Sequence, residues 1–312
     1  MAVVNSSTIS SINVSYDMAF ADGMGSAVDD WSDLAGEYPS STEETIYPWM
    51  LGIGTMEEWT GEKHHEDLAA VGYRLKNKDW SQGIEVDRNK IEDDQYGIYT
   101  PMLADLGYVA KDFINIRVNK LLQSYLTQGF AFDGKRFFAT DHPVHPNKAE
   151  LSTYSNLRTA KPLNRANLIA MRSAFAQVKG HDGEQRGIYP NVLCVHPDEE
   201  ILAKELVQAA FLPGISGTDS GSRSNVLVDI GLKVRVLRRS TETGVWYLAA
   251  TKTAPGVMRN PLIVQKRKAP VIVAPRPGSD GEYDRRVLRW SAEARYAFGY
   301  GDPRSMFRME PS

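Results

Sequence analysis

Residues 100–128 constrain this chain more than any other stretch. Thr100 suits a helix cap, Pro101 suits the first helical position, and Gly129 suits a stop. Between them Leu103, Leu106, Ala110, Phe113, Leu121 and Tyr125 recur at three- and four-residue steps, the period of one helix face. A helix over 101–128 would be a rod of roughly 42 Å at the usual rise per residue, where the mean helix has about 11–12 residues. A rod of that length predicts an elongated rather than a spherical molecule.

The flanking segments have other patterns. Residues 1–48 are rich in Ser, Thr, Gly, Asp and Pro and show no sustained period, so the segment is not expected to bury a core by itself. A neighbouring subunit would be the simplest support for it; the alternative is an arm lying on its own domain. Residues 71–88 predict a hairpin: Val71, Tyr73 and Leu75 alternate on one side, Trp80, Ile84 and Val86 on the return, with Asn77-Lys78 as a tight turn. A lone two-stranded ribbon is marginal in water, so Trp59, Tyr73 and Trp80 are expected to pack on the parent domain or on another chain.

After the rod, Phe130–Phe138 looks β-like with Asp133-Gly134 as its turn, and a second helix is expected over Asn164–Val178 with Asn164 as cap. Residues 189–195 predict a buried strand, Asp198–Ala210 a helix, and Gly214–Ser222 a flexible loop. Further strands are expected at 226–238, 245–250, 262–265, 271–273 and 287–297. The class is α+β.

Composition removes several functions. Thirty-six basic and 39 acidic residues leave a net charge of -3, without the basic excess of a dedicated nucleic-acid binder. No run of 18 apolar residues marks a membrane span, and the first residues lack the pattern of a secretory signal. The lone Cys194, in the apolar run Val192-Leu-Cys-Val195, argues for a reducing compartment and against a disulfide framework. The expected place of folding is cytoplasm.

Candidate chemistry is thin. His64-His65-Glu66-Asp67 sets donors side by side, where adjacent residues do not converge on one face, and His142-Pro-Val-His145 lies in a proline-bearing loop. His181 and His196 have no obvious local partners. Gly52-Ile-Gly54 lacks the rest of a dinucleotide fingerprint, and no phosphate-binding loop or nucleophile elbow occurs. Asp93-Asp94 suits a solvated turn better than acid–base work. Lys266-Arg-Lys268 suits an exposed strand end better than a nucleic-acid contact. The expectation is a protein with no catalytic residues, no metal and no cofactor.

Several stretches together resemble one family, the Mu-like major head subunits of phage capsids, over roughly residues 45–300. They are Glu58-Trp-Thr-Gly-Glu62, Tyr73-Arg-Leu-Lys-Asn-Lys78 leading to Ile84-Glu-Val-Asp-Arg88, and Ile91-Glu-Asp-Asp-Gln-Tyr-Gly-Ile-Tyr-Thr-Pro101. Phe132-Asp-Gly-Lys-Arg-Phe-Phe138 with Asp141-His-Pro143 follows, then Gln265-Lys-Arg-Lys-Ala-Pro270, and Ala292-Glu-Ala-Arg295 with Gly299-Tyr-Gly301. Each is weak alone; their order makes the resemblance fairly specific.

The resemblance implies an HK97-like capsid fold with five parts. An N-terminal arm would be 1–48, an extended β-hairpin loop 49–97, a peripheral domain with the spine helix 98–163 and 261–312, and an axial domain 164–260. It implies a major capsid protein self-assembling as pentamers and hexamers into an icosahedral head shell, assembled in the host cytoplasm and residing in the virion. Scaffolding protein, portal and decoration proteins would be partners, and double-stranded DNA would be faced non-specifically. Trp59, Tyr73, Trp80 and Ile84 are the expected inter-subunit contacts, since aromatics dominate interface energetics. Lys63, Lys76 and Lys78 lie in the loop, with no cross-link predicted. An encapsulin-like compartment shell and an α/β hydrolase or metalloenzyme stand as the alternatives.

Overall fold

The amphipathic stretch at the centre of the sequence is a helix in the computed structural model, and the rest of the chain is arranged along it. The structure describes residues 6–56, 58–61, 65, 72–92, 97–146, 152–212, 223–275 and 286–311. In chain order the elements are α1 (Ser6–Ser26), β1 (Ala35–Pro39), β2 (Glu44–Tyr47), β3 (Tyr73–Lys76), β4 (Lys78–Asp87), α2 (Arg88–Glu92) and α3 (Thr100–Gln123). The short strands β5 (His142–Pro143), β6 (Thr153–Tyr154) and β7 (Leu157–Arg158) precede α4 (Arg165–Ala176). Then come β8 (Val192–Val195), α5 (Glu200–Gln208), β9 (Phe211–Leu212), β10 (Arg223–Ser224), β11 (Lys233–Val236) and β12 (Trp246–Ala249). The chain ends with β13 (Leu262–Val273), β14 (Val287–Tyr300) and β15 (Met306–Met309).

Helix α3 has 24 residues, about 36 Å of rod. It ends five residues before the expected limit, in turns over 124–128, and Gly129 follows at φ 115°. Leu103, Leu106 and Ala110 bury into one apolar cluster, and Ile114, Val118, Leu121 and Leu122 into the next, so the rod joins two cores.

Two sheets flank it. The first has the order β1-β13-β14-β4, with β1 parallel to β13 and the other pairs antiparallel. Every second residue of β14 (Leu288, Trp290, Ala292, Ala294, Tyr296) is buried, the alternation of a strand with one covered face. The strands expected at 262–265 and 271–273 are one continuous β13 whose pairing with β14 shifts register twice between Lys266 and Val271.

The second sheet, β11-β8-β12-β15-β7, is covered on both sides. Val192, Cys194, Tyr247, Ala249 and Met306 face the α3 core, while Leu193, Val195, Trp246, Leu248, Phe307 and Met309 face α4 and α5. That explains why β8 and β12 are apolar at every position. Asn164 caps α4 as expected, its side chain accepting from the Asn167 amide. Ion pairs tie the rod and the turn at Asp30–Asp33 to this sheet: Arg239 to Asp112 at 2.5 Å and Arg235 to Asp30 at 2.7 Å.

Four expectations are corrected. The first is the aperiodic start: residues 6–26 form α1, which lies along α3 and buries Ile9, Tyr16, Ala19 and Phe20. Close approach makes this possible: a Cβ on Gly107 would strike the Phe20 carbonyl, and one on Gly23 the Ala104 carbonyl. The second is the hairpin. β3 pairs with β2 and β4 with β14, so the strands on either side of Asn77 belong to different sheets. Asn77 has no left-handed backbone. Its amide side chain donates to Ser40 Oγ and Thr42 O, both at 2.9 Å, and accepts from Gln265 Nε2 at 2.8 Å. It is a buried junction, not a turn.

The third is Phe130–Phe138, which forms turns instead of strands; the Asp133-Gly134 turn is present, with Gly134 at φ 77°. The fourth is the strand at 226–238, which is confined to β11 after a 3₁₀ turn at Val228–Ile230. The Gly214–Ser222 loop lies outside the described residues, as do Val71, Lys63, His64, Glu66, Asp67, Asp93 and Asp94.

Candidate interaction surface

Strands β2 and β3 pair antiparallel and bracket a long connection over residues 48–72. Its root is firm. Tyr38, Tyr47 and Trp49 pack ring to ring with centroids 5.4–5.7 Å apart, and the Arg259 guanidinium lies 4.1 Å over Trp49. Tyr47 also donates its hydroxyl to Gln265 Oε1 at 2.7 Å.

Beyond Gly52, at φ 89°, the character reverses. Ile53, Met56 and Trp59 are 71%, 101% and 70% exposed, so within seven residues three large apolar side chains face water. Single exposed hydrophobics are ordinary, but such a concentration makes the segment a candidate contact surface. The segment is held through its backbone. The Thr55 amide donates to Asp182 Oδ2 at 2.9 Å, and Arg186 Nη2 donates to the Ile53 carbonyl at 2.9 Å. Asp182 and Arg186 lie 3.4 Å apart as an ion pair. Burial works against the Asp182 carboxylate, yet the Thr55 and Glu184 amides and the Arg186 charge outweigh it and hold the carboxyl below its ordinary value.

Of the four expected contact residues, only Trp59 is exposed; its indole donates to the Gly61 carbonyl at 2.7 Å. The Tyr73 hydroxyl accepts from the Tyr300 amide at 3.2 Å, and burial raises the pKa of its phenol. Ile84 packs into the cluster under α1 and pairs with Trp290 across the sheet. Trp80 is half-buried: its indole donates to the Tyr296 carbonyl at 3.1 Å, its ring meets Phe113 and Phe298 at 5.9 and 6.0 Å, and Arg117 stacks on it at 4.0 Å. It forms one wall of a surface depression of about 170 Å³ between α3 and β14, shared with Phe113, Arg117 and Pro270. Residues chosen for aromatic or apolar character thus divide into three that are partly buried and one that is mostly exposed. Met56, the most exposed large apolar side chain among the described residues, was missed because methionine carries no periodic signal when isolated.

Among the described residues, several of the candidate chemical groups are buried or paired within the fold. Cys194 is fully buried and its thiol is pushed up to about 12 by that burial. His142 is buried between Asp133 Oδ2, 2.6 Å from Nδ1, and the Phe137 carbonyl, 3.2 Å from Nε2. Among the described residues no three His, Cys, Asp or Glu side chains gather as a metal cage, and no helix is long and apolar enough to cross a membrane. The basic run on β13 is paired: Lys266 with Glu37 at 3.0 Å, Lys268 with Glu293 at 3.8 Å, and Arg267 with the Ser40 carbonyl at 3.3 Å.

A long helix beside one sheet and a second sheet covered on both faces are the arrangement of tailed-phage capsid proteins, the HK97-like class. Solved shells share it. The chain aligns with a subunit of the procapsid of bacteriophage JBD30 at a TM-score of 0.59 and 21% identity, covering 98% of this chain and 75% of that one. It aligns with a chain of Microbacterium phage Oxtober96 at 0.51 and 11% identity, covering 90% of each. Residues 9–161 match the model of the Mu-like prophage major head subunit gpT family. The chain is 33% identical over 150 residues to the Mu-like prophage FluMu major head subunit of Haemophilus influenzae, and 31% identical over 145 residues to the major capsid protein of Escherichia phage Mu. Each alignment spans 47% of the relative's length. The family match takes in α1, where no matching motif had been found, and stops short of the motifs at 265–270, 292–295 and 299–301.

Proposed function

We propose that this chain is a major capsid protein whose copies associate into an icosahedral head shell enclosing phage DNA. The observation that carries the proposal is the coincidence of family and surface. The stretch that matches the head-subunit family contains the connection with Ile53, Met56 and Trp59 turned to water. Such side chains are anomalous in a solitary globule and ordinary in a subunit whose neighbours cover them.

In this reading residues 1–48 are the arm, 49–97 the extended-loop region, 98–163 and 261–312 the peripheral domain, and 164–260 the axial domain. The arm is an arm in name: its helix α1 serves the subunit's own core. Trp59 is the leading inter-subunit contact. Tyr73, Trp80 and Ile84, each partly buried on its own chain, are the further inter-subunit contacts of this reading, Trp80 through the depression it lines. The chain acts as a wall and not as an enzyme, in the virion after assembly in the host cytoplasm. Pentamers and hexamers of this chain, a scaffolding protein, a portal and decoration proteins are its partners, and a net charge of -3 suits a wall that faces DNA without clinging to it. Repetition over a closed shell turns weak pairwise contacts into a stable particle.

Negative-stain microscopy and sedimentation of the purified chain test this. Shells or capsomers are the expected result, lost or reduced in Trp59→Ala. A chain that stays monomeric at high concentration, or a Trp59→Ala variant that assembles like the wild type, would count against the respective half of the proposal.

A further inference from the structure

We infer that Asp182 and Arg186 are positioning residues that latch the root of the exposed 53–59 segment onto the axial part of the same chain. The inference rests on the shell reading for its purpose, but its geometry stands alone.

The latch grips main chain and ignores side chains. Arg186 donates to the Ile53 carbonyl and Asp182 accepts from the Thr55 amide. These are the two groups that one residue of a parallel strand, set opposite Gly54, would engage. An ion pair therefore stands in for a peptide unit of a neighbouring strand, with charged partners that strengthen both bonds. The mount is built for the purpose. Asp182 Oδ1 accepts from the Glu184 amide at 3.2 Å, which fixes the carboxylate in its turn. Gly180 lies directly under the Arg186 guanidinium, where any Cβ would collide with it. On the other side Gly256 packs against the Arg186 carbonyl, and the loop that carries it also carries Met258, 87% exposed.

The consequence follows from which atoms are used. With its backbone groups satisfied on one side, the extended segment needs no side-chain burial to stay in place. Ile53, Met56 and Trp59, all exposed, then face outward toward a second copy of the chain. Holding the segment before contact removes ordering entropy from the association step.

Two substitutions attack the same bond from opposite ends. Asp182→Asn keeps the Glu184 turn through Oδ1 and turns the acceptor facing Thr55 into a donor. Thr55→Pro deletes the amide and leaves Asp182 untouched. Hydrogen exchange of the full-length chain before assembly is the first readout. Asp182→Asn should speed exchange across 53–56 by about tenfold or more, with the two sheets unchanged. The second readout is the protein concentration at which shells appear. It should rise severalfold in each variant, and the double variant should be no worse than the worse single one. Unchanged exchange in Asp182→Asn would overturn the latch. Faster exchange with an unchanged assembly threshold in both variants would overturn its positioning role. A wild-type chain that forms no shells would instead tell against the functional reading, and the exchange comparison would still decide the latch.

Discussion

Helix α1 and the 53–59 segment lie on either side of β1 and β2 in the chain, and they are held by opposite means. The helix buries Ile9, Tyr16, Ala19 and Phe20 against α3 and Trp290, with Tyr16 edge-on to that indole at 5.1 Å and Asn13 accepting from its Nε1 at 3.0 Å. In the segment Ile53, Met56 and Trp59 are exposed, and the Thr55 amide and Ile53 carbonyl are bonded to Asp182 and Arg186. One region is finished within the subunit. The other is positioned and left open. The shell role proposed for this chain would use both kinds: a body that survives alone, and a surface whose energy is released only on contact.

That contrast can be broken most forcefully at Trp290. Truncation to Ala removes the wall shared by α1 and α3 and should cost about 3–5 kcal/mol of subunit stability, read from denaturant midpoints. If the loss is under about 1 kcal/mol, α1 is not part of the core. Gly107→Ala comes next. The added methyl meets the Phe20 carbonyl and should cost about 1–3 kcal/mol by forcing the helices apart, with hydrogen exchange rising along α1 first.

A pH titration sharpens the other side of the comparison. The Asp182 carboxyl lies below its ordinary value of 3.8 in the folded chain, so its contribution is complete above that value and fades as pH falls through the lower one. Exchange at 53–56 should therefore be flat from neutral pH to about pH 4, after correction for intrinsic rates, and rise only below it. Asp182→Asn should abolish that step. The smallest stability effect belongs to Trp59→Ala and Met56→Ser, which should each leave the subunit midpoint within about 0.5 kcal/mol of the wild type. A larger loss would mean that the segment is part of the body after all.

Much of the body was legible from local pattern. Helix α3 announces itself because one face is apolar for 24 residues, β8 because it is covered on both faces, and α4 because Asn164 caps it. Helix α1 was hidden because its contact face mixes Ile9 and Phe20 with Ala19 and Gly23. Small residues allow close helix packing yet barely register as hydrophobic. The strands around Asn77 were assigned a hairpin because alternation shows that strands exist without naming their partners. The choice fell to Asn77 itself, which bonds to Ser40, Thr42 and Gln265 and so divides two sheets. Trp59 and Trp80 are alike as letters; only their neighbours leave one exposed and make the other a groove wall.

By itself the order of residues determined the α+β class, the central rod, the doubly covered strand and the absence of a legible catalytic motif, because these depend on period, capping and composition, which act over a few residues. Which strands are neighbours, that the first helix belongs to the body, and that an ion pair far along the chain holds the exposed segment were decided only in three dimensions. Each of those rests on contacts across 35 to more than 270 positions, where a side chain meets partners that no local window contains.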